Sequence, residues 1–194
     1  MIINGRRSIV NGQSRLVVIG PGDNVLETER LSLVPLMARQ LALYRDCPVV
    51  LEKELGLALS RSIMTDRVRW AIGMKLDKMS QVGEGDHCWF TYWLMVIDES
   101  SFGAGLAGFK GLPDAHGAVE ISCGIDVACR GKGYTTEAVM ALIAWAFSAE
   151  DCMSVFASVD RENMASSRVL EIAGMLLREE TVETLLWRIE KPVS

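Results

Sequence analysis

The sequence predicts an α/β (α+β) fold in which a mixed, mostly antiparallel sheet is flanked by helices. Apolar residues at helical spacing dominate residues 37–76, whereas aromatic, β-branched and alternating segments dominate residues 89–127. After a glycine-containing turn at residues 130–133, helix and strand patterns follow one another to residue 190. This order of elements is typical of a sheet that is covered by helices in layers.

The individual elements are predicted from their periodicity. A first strand at 30–36 precedes three helical patterns at 37–44, 51–59 and 64–76, and three strands follow at 89–97, 103–110 and 118–127. A helix at 136–147, a strand at 155–159, a helix at 163–173 and a hairpin of strands 176–180 and 183–190 complete the chain. The helix at 163–173 is predicted to turn Ala165, Val169 and Ile172 inward.

The length of 194 residues suits one domain, which we predict over residues 26–194. Residues 1–25 are predicted to form an N-terminal arm or an extra edge strand. Hydrophobic residues make up 49% of the chain and charged residues 23%, so a core can form without metals or disulfides.

Charge and cysteine usage narrow the class of protein. The net charge of −5 argues against nucleic-acid binding, because a phosphate backbone needs a basic surface to neutralise it. The five cysteines include no C-x-x-C pair, which favours reduced thiols over a zinc site or a disulfide framework. No charge-free apolar run approaches the about 20 residues of a membrane span. We therefore expect a cytoplasmic protein with no metal, no nucleic-acid partner and no membrane partner.

The strand at 118–127 leads into the candidate site. Its alternation places residues 119, 121, 123 and 125 on an apolar face and residues 120, 122, 124 and 126 on the opposite face. Glu120 is therefore either a candidate catalytic base or a simple charge on a half-exposed strand, and the sequence leaves both interpretations open.

The turn after this strand is the strongest candidate for ligand binding. Gly131 and Gly133 let the backbone bend and expose its N–H groups at the start of a helix, where an anion is attracted. Arg130 and Lys132 add positive charge and Thr135 adds a hydroxyl donor, so the turn suits a diphosphate group. The alternative is a helix start that uses its glycines only to bend.

A second glycine-rich segment, 103–108, matches the G-x-G-x-x-G pattern of dinucleotide-binding proteins. In those proteins a helix begins inside the motif. Here Gly111, Pro113 and Gly117 follow and leave no room for a helix. The segment is therefore predicted to be a strand of a hairpin, and a nicotinamide-dependent oxidoreductase is a rival hypothesis only.

Three blocks of the sequence resemble the GNAT superfamily of N-acetyltransferases. Residues 119–125 and 130–138 are similar to its CoA-binding motif, with Arg130-x-x-Gly133-x-Thr135 where the last position is usually Gly or Ala. Residues 163–175 are similar to a later motif, with Met175 where Phe is commoner, and residues 27–31 are similar to the opening strand. The resemblance covers residues 27–190 and is nearest to the ribosomal-protein N-terminal (alanine) acetyltransferase branch.

The resemblance implies a GNAT-type acyl-CoA N-acyltransferase fold with a splayed strand pair at the donor site. It implies that acetyl-CoA, as co-substrate, gives its acetyl group directly to a primary amine, which is a protein N-terminus or a small molecule. The donor-binding residues that it implies are Cys123, Gly124, Ile125, Asp126, Val127, Arg130, Gly131, Lys132, Gly133, Tyr134, Thr135, Asn163 and Ser166.

Two side chains are implied to be catalytic. Glu120 would take a proton from the amine, directly or through water, and Ser166 would protonate the leaving thiolate. A backbone N–H near Gly124 or Ile125 would stabilise the developing oxyanion. His87 and His116 lie in loops and are weaker candidates for the base.

Several alternatives stay open at this point. A non-catalytic acyl-CoA-binding sensor on the same fold would keep the Arg130 turn without needing Glu120 or Ser166. Cys123 is either a small core residue or the site of an acyl-cysteine intermediate. A homodimer formed through an edge strand is also possible on this fold.

Overall fold

The computed structural model describes residues 6–10, 13–17 and 25–192. A nine-stranded sheet is formed by β3 (Leu26–Glu27), β4 (Leu31–Pro35), β5 (Ala58–Leu59), β6 (Trp93–Ile97), β7 (Phe102–Phe109), β8 (Ala118–Ile125), β9 (Ser154–Asp160), β10 (Leu176–Glu180) and β11 (Thr184–Glu190). The order of the strands across this sheet is β10-β11-β9-β8-β7-β6-β4-β3, with β5 beside β7.

The helices lie between these strands in the chain. They are α1 (Ala38–Asp46), α2 (Pro48–Leu55), α3 (Asp66–Met79), α4 (His87–Phe90), α5 (Tyr134–Ser148) and α6 (Met164–Ile172). Short 3-10 turns span Glu84–Asp86 and Val127–Cys129. Among the described residues, no helix is long and apolar enough to cross a membrane.

The sheet is mostly antiparallel, as predicted. Its parallel neighbours are β5 with β7 and β8 with β9, and the other strand pairs run antiparallel. In the N-terminal segment, β1 (Arg6–Val10) and β2 (Gln13–Val17) pair with each other in a separate two-stranded sheet. The rest of the arm predicted over residues 1–25 lies outside the described residues, apart from Val25.

Both faces of the sheet are buried, each against a different set of helices. On one face, Trp93, Phe109 and Leu142 belong to a core that includes α5 and α6. On the other face, Tyr44, Leu51 and Ile72 of α1, α2 and α3 pack against the sheet. Because both faces are covered, β6 is buried at every position instead of alternating.

Three predicted elements differ from the structure. The helix predicted at 51–59 ends at Leu55, because Gly56 adopts a left-handed φ of 69° that terminates it, and Leu59 lies in β5. The strand predicted at 89–97 begins only at Trp93, since the preceding residues form α4 and bury Trp89 against Phe109.

The predicted inward face of α6 is also wrong. Ala165 and Ile172 are exposed and Val169 is half-buried, whereas Ser167, Leu170 and Ala173 are buried. Apolar residues occur on both sides of this short helix, so periodicity alone permits two orientations. The sheet and α5 select the one that buries Leu170.

Candidate active site

The site begins where two parallel strands separate. β8 pairs with β9 only from Ala118 to Glu120, opposite Ser154 to Phe156. Beyond that point β8 keeps its pairing with β7 as far as Ile125, and β9 keeps its pairing with β11 as far as Asp160. A gap therefore opens between β8 and β9, which is the predicted splayed strand pair.

A cavity of about 560 Å³ occupies this gap. Its volume is within the range of small-molecule sites. The cavity lies between the diverging ends of β8 and β9, the start of α6, and the first turns of α3. Eight of the predicted site residues line it together, namely Glu120, Cys123, Gly124, Ile125, Val127, Arg130, Asn163 and Ser166.

The strand register decides which backbone groups of β8 face the gap. The Glu120 carbonyl accepts a hydrogen bond from the Lys110 N–H at 2.9 Å, and the Asp126 N–H donates to the Ala104 carbonyl at 2.8 Å. Backbone groups alternate in direction along a strand, so even-numbered residues face β7. Cys123 and Ile125 consequently direct their N–H and carbonyl groups into the gap, and Gly124 does not.

The side chains of β8 are distributed as the alternation predicts. Val119 and Ile121 are buried in the core beneath α5, with Cys123 and Ile125 packed against it. Burial raises the pKa of the Cys123 thiol to about 11, so this thiol stays protonated at neutral pH. That protonation disfavours the acyl-cysteine alternative, because the thiolate is the nucleophile.

The turn at residues 130–133 follows the end of β8, and Arg130 is its one residue that lines the cavity. The predicted donor residues that come after it do not line the cavity, namely Gly131, Lys132, Gly133, Tyr134 and Thr135. Gly131 and Gly133 have left-handed φ angles of 72° and 82°, and α5 begins immediately afterwards at Tyr134. Within the described residues no side chain caps this helix start. The N–H groups of the first turn, including that of Thr135, are therefore placed to bind an anion.

The turn is held by residues that the sequence analysis assigned no role. The Arg30 guanidinium donates to the Lys132 carbonyl at 2.8 Å and to the Glu137 carboxylate at 2.7 Å. The Thr28 hydroxyl also donates to Glu137, at 2.5 Å. Burial opposes ionisation of Glu137, but these hydrogen bonds outweigh it and lower its pKa. The resemblance of residues 27–31 to an opening strand was the only signal for Thr28 and Arg30.

Asp126 does not line the cavity. Its carboxylate accepts hydrogen bonds from the Ser60 hydroxyl at 2.5 Å and from the Ala128 N–H at 2.8 Å. The hydrogen bond from Ser60 is the main cause of its lowered pKa. Asp126 thus connects the end of β8 to the loop before α3, and both of its carboxylate oxygens accept hydrogen bonds from within the protein.

Glu120 lines the cavity close to a basic partner. Its carboxylate Oε1 accepts a hydrogen bond from Lys110 Nζ at 2.6 Å, and the Glu120 side chain is 20% exposed. Tyr92 and Ser122 also line the cavity, and the sequence predicted no part in the chemistry for either residue. Burial raises the pKa of Tyr92, although its hydrogen bond with Ser122 acts in the opposite direction. The cavity wall therefore combines a carboxylate with neutral hydroxyl groups.

Asn163 and Ser166 stand on the opposite wall, at the start of α6. Asn163 caps this helix by accepting a hydrogen bond from the Ser166 N–H at 3.1 Å. Both residues line the cavity. The cap fixes the orientation of the first turn of α6 and brings the Ser166 side chain to the gap.

The glycine-rich segment 103–108 lies inside β7, with β6 on one side and β8 on the other. A Cβ added at Gly105 would lie 2.6 Å from the Gly124 carbonyl oxygen, and one at Gly108 would lie 2.6 Å from the Thr91 carbonyl oxygen. The glycines permit close packing within the sheet, and no helix begins in this segment. The dinucleotide-binding hypothesis is wrong, and the predicted strand is confirmed.

A gap in a mostly antiparallel sheet, followed in the chain by an uncapped helix start, is an arrangement that suits an extended anionic ligand. Residues 58–176 match the family described as Acetyltransferase (GNAT) domain. The chain belongs to this GNAT acetyltransferase family, which confirms the fold that the sequence resemblance implied. Among the described residues, no group of three or more His, Cys, Asp or Glu side chains is placed to hold a metal ion.

A curated relative is also an N-acetyltransferase by name, in agreement with the family match. The chain is 34% identical over 98 residues to the uncharacterized N-acetyltransferase YjdG of Bacillus subtilis (strain 168), covering 50% of this chain and 58% of that protein. The chain therefore matches less than two thirds of this curated relative's length.

Two solved structures share the fold over nearly their whole length. Ribosomal-protein-S5-alanine acetyltransferase from Vibrio fischeri superimposes with a TM-score of 0.63 at 16% identity, over 87% of this chain and 97% of that one. RimL, a ribosomal L7/L12 alpha-N-protein acetyltransferase solved in complex with coenzyme A, gives a TM-score of 0.60 at 14% identity, over 86% and 97%.

Proposed function

We propose that this protein is an acetyl-CoA-dependent N-acetyltransferase that transfers the acetyl group directly to a primary amine. The observation that carries the proposal is the gap between β8 and β9, which opens beside the anion-binding turn in a chain of the GNAT family. Family membership supports the reaction type, and the geometry supports the assignment of roles below.

The turn at residues 130–135 takes the pyrophosphate of the donor. Arg130 and Lys132 supply positive charge, and the N–H groups after Gly131 and Gly133 supply donors at the positive end of α5. Thr135 stands in the first turn of α5, and Tyr134 precedes it with its ring beside Arg30. RimL, which shares this fold, was solved with bound coenzyme A, and this supports CoA as the ligand.

The pantetheine arm lies along β8 in the gap. Cys123 and Ile125 contribute the backbone N–H and carbonyl groups that face the gap. Gly124 borders the arm from the cavity wall, and Asp126 contributes by fixing the end of the strand. Val127, which is 63% exposed, and Asn163 border the arm at the two walls of the cavity. An amide-containing arm suits a strand edge, since each unpaired N–H and carbonyl group needs a partner.

The thioester carbonyl is polarised by a backbone N–H of β8. The register favours Ile125 for this donor over Gly124, because the Gly124 N–H faces β7. A donor held rigidly within a strand stabilises negative charge without reorganising during the reaction.

The chemical step needs a base and an acid. The amine nitrogen attacks the thioester carbon, the carbon–sulfur bond breaks, and the acetyl group remains on nitrogen. Glu120 takes the proton that the amine loses, directly or through water, and the Ser166 hydroxyl protonates the departing thiolate. Both residues line the same cavity, which supports their acting on one bound donor.

The acceptor is a primary amine of a protein N-terminus or of a small molecule.

We place the protein in the cytoplasm on the ground that all five cysteines are free. We also propose that the protein forms a homodimer and that residues 1–25 form an N-terminal arm or an extra edge strand. The pairing of β1 with β2 is compatible with such an arm.

A CoA-release assay over a panel of peptides and small amines tests the function. Release of CoA that depends on both acetyl-CoA and an amine is the expected result. Binding of acetyl-CoA without turnover on any amine would favour the non-catalytic sensor. A protein that neither binds acetyl-CoA nor releases CoA would contradict both.

A further inference from the structure

We propose that Arg30 is a positioning residue for the donor, because its guanidinium holds the turn at residues 130–133 in its binding geometry. The inference rests on the proposed function, since it concerns the same donor site. Arg30 lies before residues 58–176, the part of the chain that matches the family. The donor site of this protein would therefore depend on a residue outside its family-matched segment.

Arg30, which lies between β3 and β4, contacts both the turn and the first turn of α5. Its Nη1 donates to the Lys132 carbonyl at 2.8 Å, and its Nε donates to Glu137 Oε2 at 2.7 Å. The Arg30 backbone N–H donates to Glu137 Oε1 at 2.8 Å. A planar guanidinium can hold two acceptors at fixed angles, which an ammonium group cannot do.

The contact with Lys132 has a geometric consequence. In a trans peptide the carbonyl and the following N–H point in opposite directions. Fixing the Lys132 carbonyl toward Arg30 therefore aims the Gly133 N–H away from Arg30. A Cβ added at Gly133 would lie 3.2 Å from Arg30 Nη2, so the guanidinium packs closely against this turn.

The contact with Glu137 has an electrostatic consequence. Glu137 stands in the first turn of α5, where its carboxylate would repel a bound phosphate. Arg30 pairs with this carboxylate at 2.7 Å, and the Glu137 side chain is only 15% exposed. Loss of Arg30 would leave a negative charge next to the anion site, and it would also release the Lys132 carbonyl.

A comparable ion pair elsewhere in the chain provides a matched control. Arg39 of α1 binds both carboxylate oxygens of Glu54 of α2, at 2.8 and 2.6 Å. Like Arg30, Arg39 is well exposed, but neither member of its pair lines the cavity. Removing Arg39 therefore tests what the loss of a surface ion pair does on its own.

The experiment compares Arg30→Gln, Arg30→Lys and Arg39→Gln with the wild-type protein. CoA binding is measured by calorimetry, and turnover of an accepted amine is measured with acetyl-CoA and with S-acetylpantetheine, which lacks the pyrophosphate. For Arg30→Gln we expect about tenfold weaker CoA binding and a matching rise in KM for acetyl-CoA. We expect kcat, and kcat/KM for S-acetylpantetheine, to stay within about twofold of wild type.

The other two variants separate the effect of charge from that of hydrogen-bond geometry and from that of a lost surface ion pair. Arg30→Lys keeps the charge but cannot hold both acceptors, so we expect a loss of about threefold for CoA. Arg39→Gln should bind CoA as the wild type does. Equal losses with both donors, an unchanged Kd for CoA in Arg30→Gln, or failure of both Arg30 variants to fold would overturn the inference. A wild-type protein that does not bind CoA would instead contradict the proposed function.

Discussion

Glu120 combines access to the cavity with a charged partner. It extends from β8 just where the strand loses its pairing with β9, and it contacts Lys110 at 2.6 Å. In the proposed mechanism, an amine that enters the cavity as an ammonium ion would meet this carboxylate on the cavity wall. In that mechanism, the ion pair with Lys110 would hold the carboxylate in place until the acceptor arrives.

The Glu120→Gln variant tests this role. A glutamine keeps the shape of the side chain but cannot accept the proton, so we expect kcat to fall by about a hundredfold at pH 7. The pH–rate curve should also shift, because the remaining deprotonation depends on solvent. Steady-state kinetics between pH 6 and 10 measure both effects, with the exposed Glu99→Gln as the control. Unchanged kinetics at every pH would remove Glu120 from the mechanism.

In the proposed mechanism, donor binding depends on the strand–turn–helix unit formed by β8, the turn and α5. Its two glycines differ in their surroundings. A Cβ at Gly131 would meet nothing within 4 Å, whereas a Cβ at Gly133 would approach the Arg30 guanidinium. Both positions have left-handed φ angles, which other residues adopt at a cost of roughly 1–2 kcal/mol.

Gly133→Ala should therefore impair the turn without removing a functional side chain. We expect the KM for acetyl-CoA to rise about tenfold, because the turn must relax away from its strained φ and from Arg30. Gly85→Ala is the control, since a Cβ there meets nothing within 4 Å and its φ is not left-handed. Equal KM values for the two variants would show that the turn does not set donor affinity.

Sequence patterns predicted most elements of this unit because their signals are local. The alternation over 118–127, the glycines of the turn and the apolar run of α5 each lie within a few residues. The tie between Arg30 and Glu137 joins residues 107 positions apart, so no local pattern reveals it. The hydrogen bond between Tyr92 and Ser122 was not predicted for the same reason. The orientation of α6 could not be predicted because apolar residues occur on two of its faces, and only packing against the sheet decides which face is buried.

Helices cover both faces of the sheet, and Lys75 links α3 to the end of β7 and to the residues that precede β6. This buried residue of α3 donates hydrogen bonds to the carbonyls of Phe90, Thr91 and Phe109 at 3.0, 3.1 and 2.5 Å. Its ammonium also lies 4.4 Å from the centre of the Tyr92 ring. Burial lowers the pKa of Lys75 to about 7 from the ordinary 10.5.

This shifted pKa gives stability a pH dependence with a defined sign. Between pH 7 and 10.5 the unfolded chain keeps the Lys75 proton that the folded protein releases, so the unfolding free energy rises with pH. The unfolding free energy of the wild type minus that of Lys75→Met should therefore increase from pH 7 to 9, by up to about 1.4 kcal/mol per pH unit. Denaturant titrations at several pH values measure it, and a flat or falling difference would contradict the burial of a titrating amine.

In the proposed mechanism, donor and amine meet in the gap between β8 and β9 and react directly. An initial-velocity study in which acetyl-CoA and an accepted amine are both varied tests this mechanism. We expect amine-dependent CoA release with intersecting reciprocal plots, since both substrates must be bound before the acetyl group moves. Parallel plots, which indicate an acyl-enzyme intermediate, or the absence of any CoA release would contradict it.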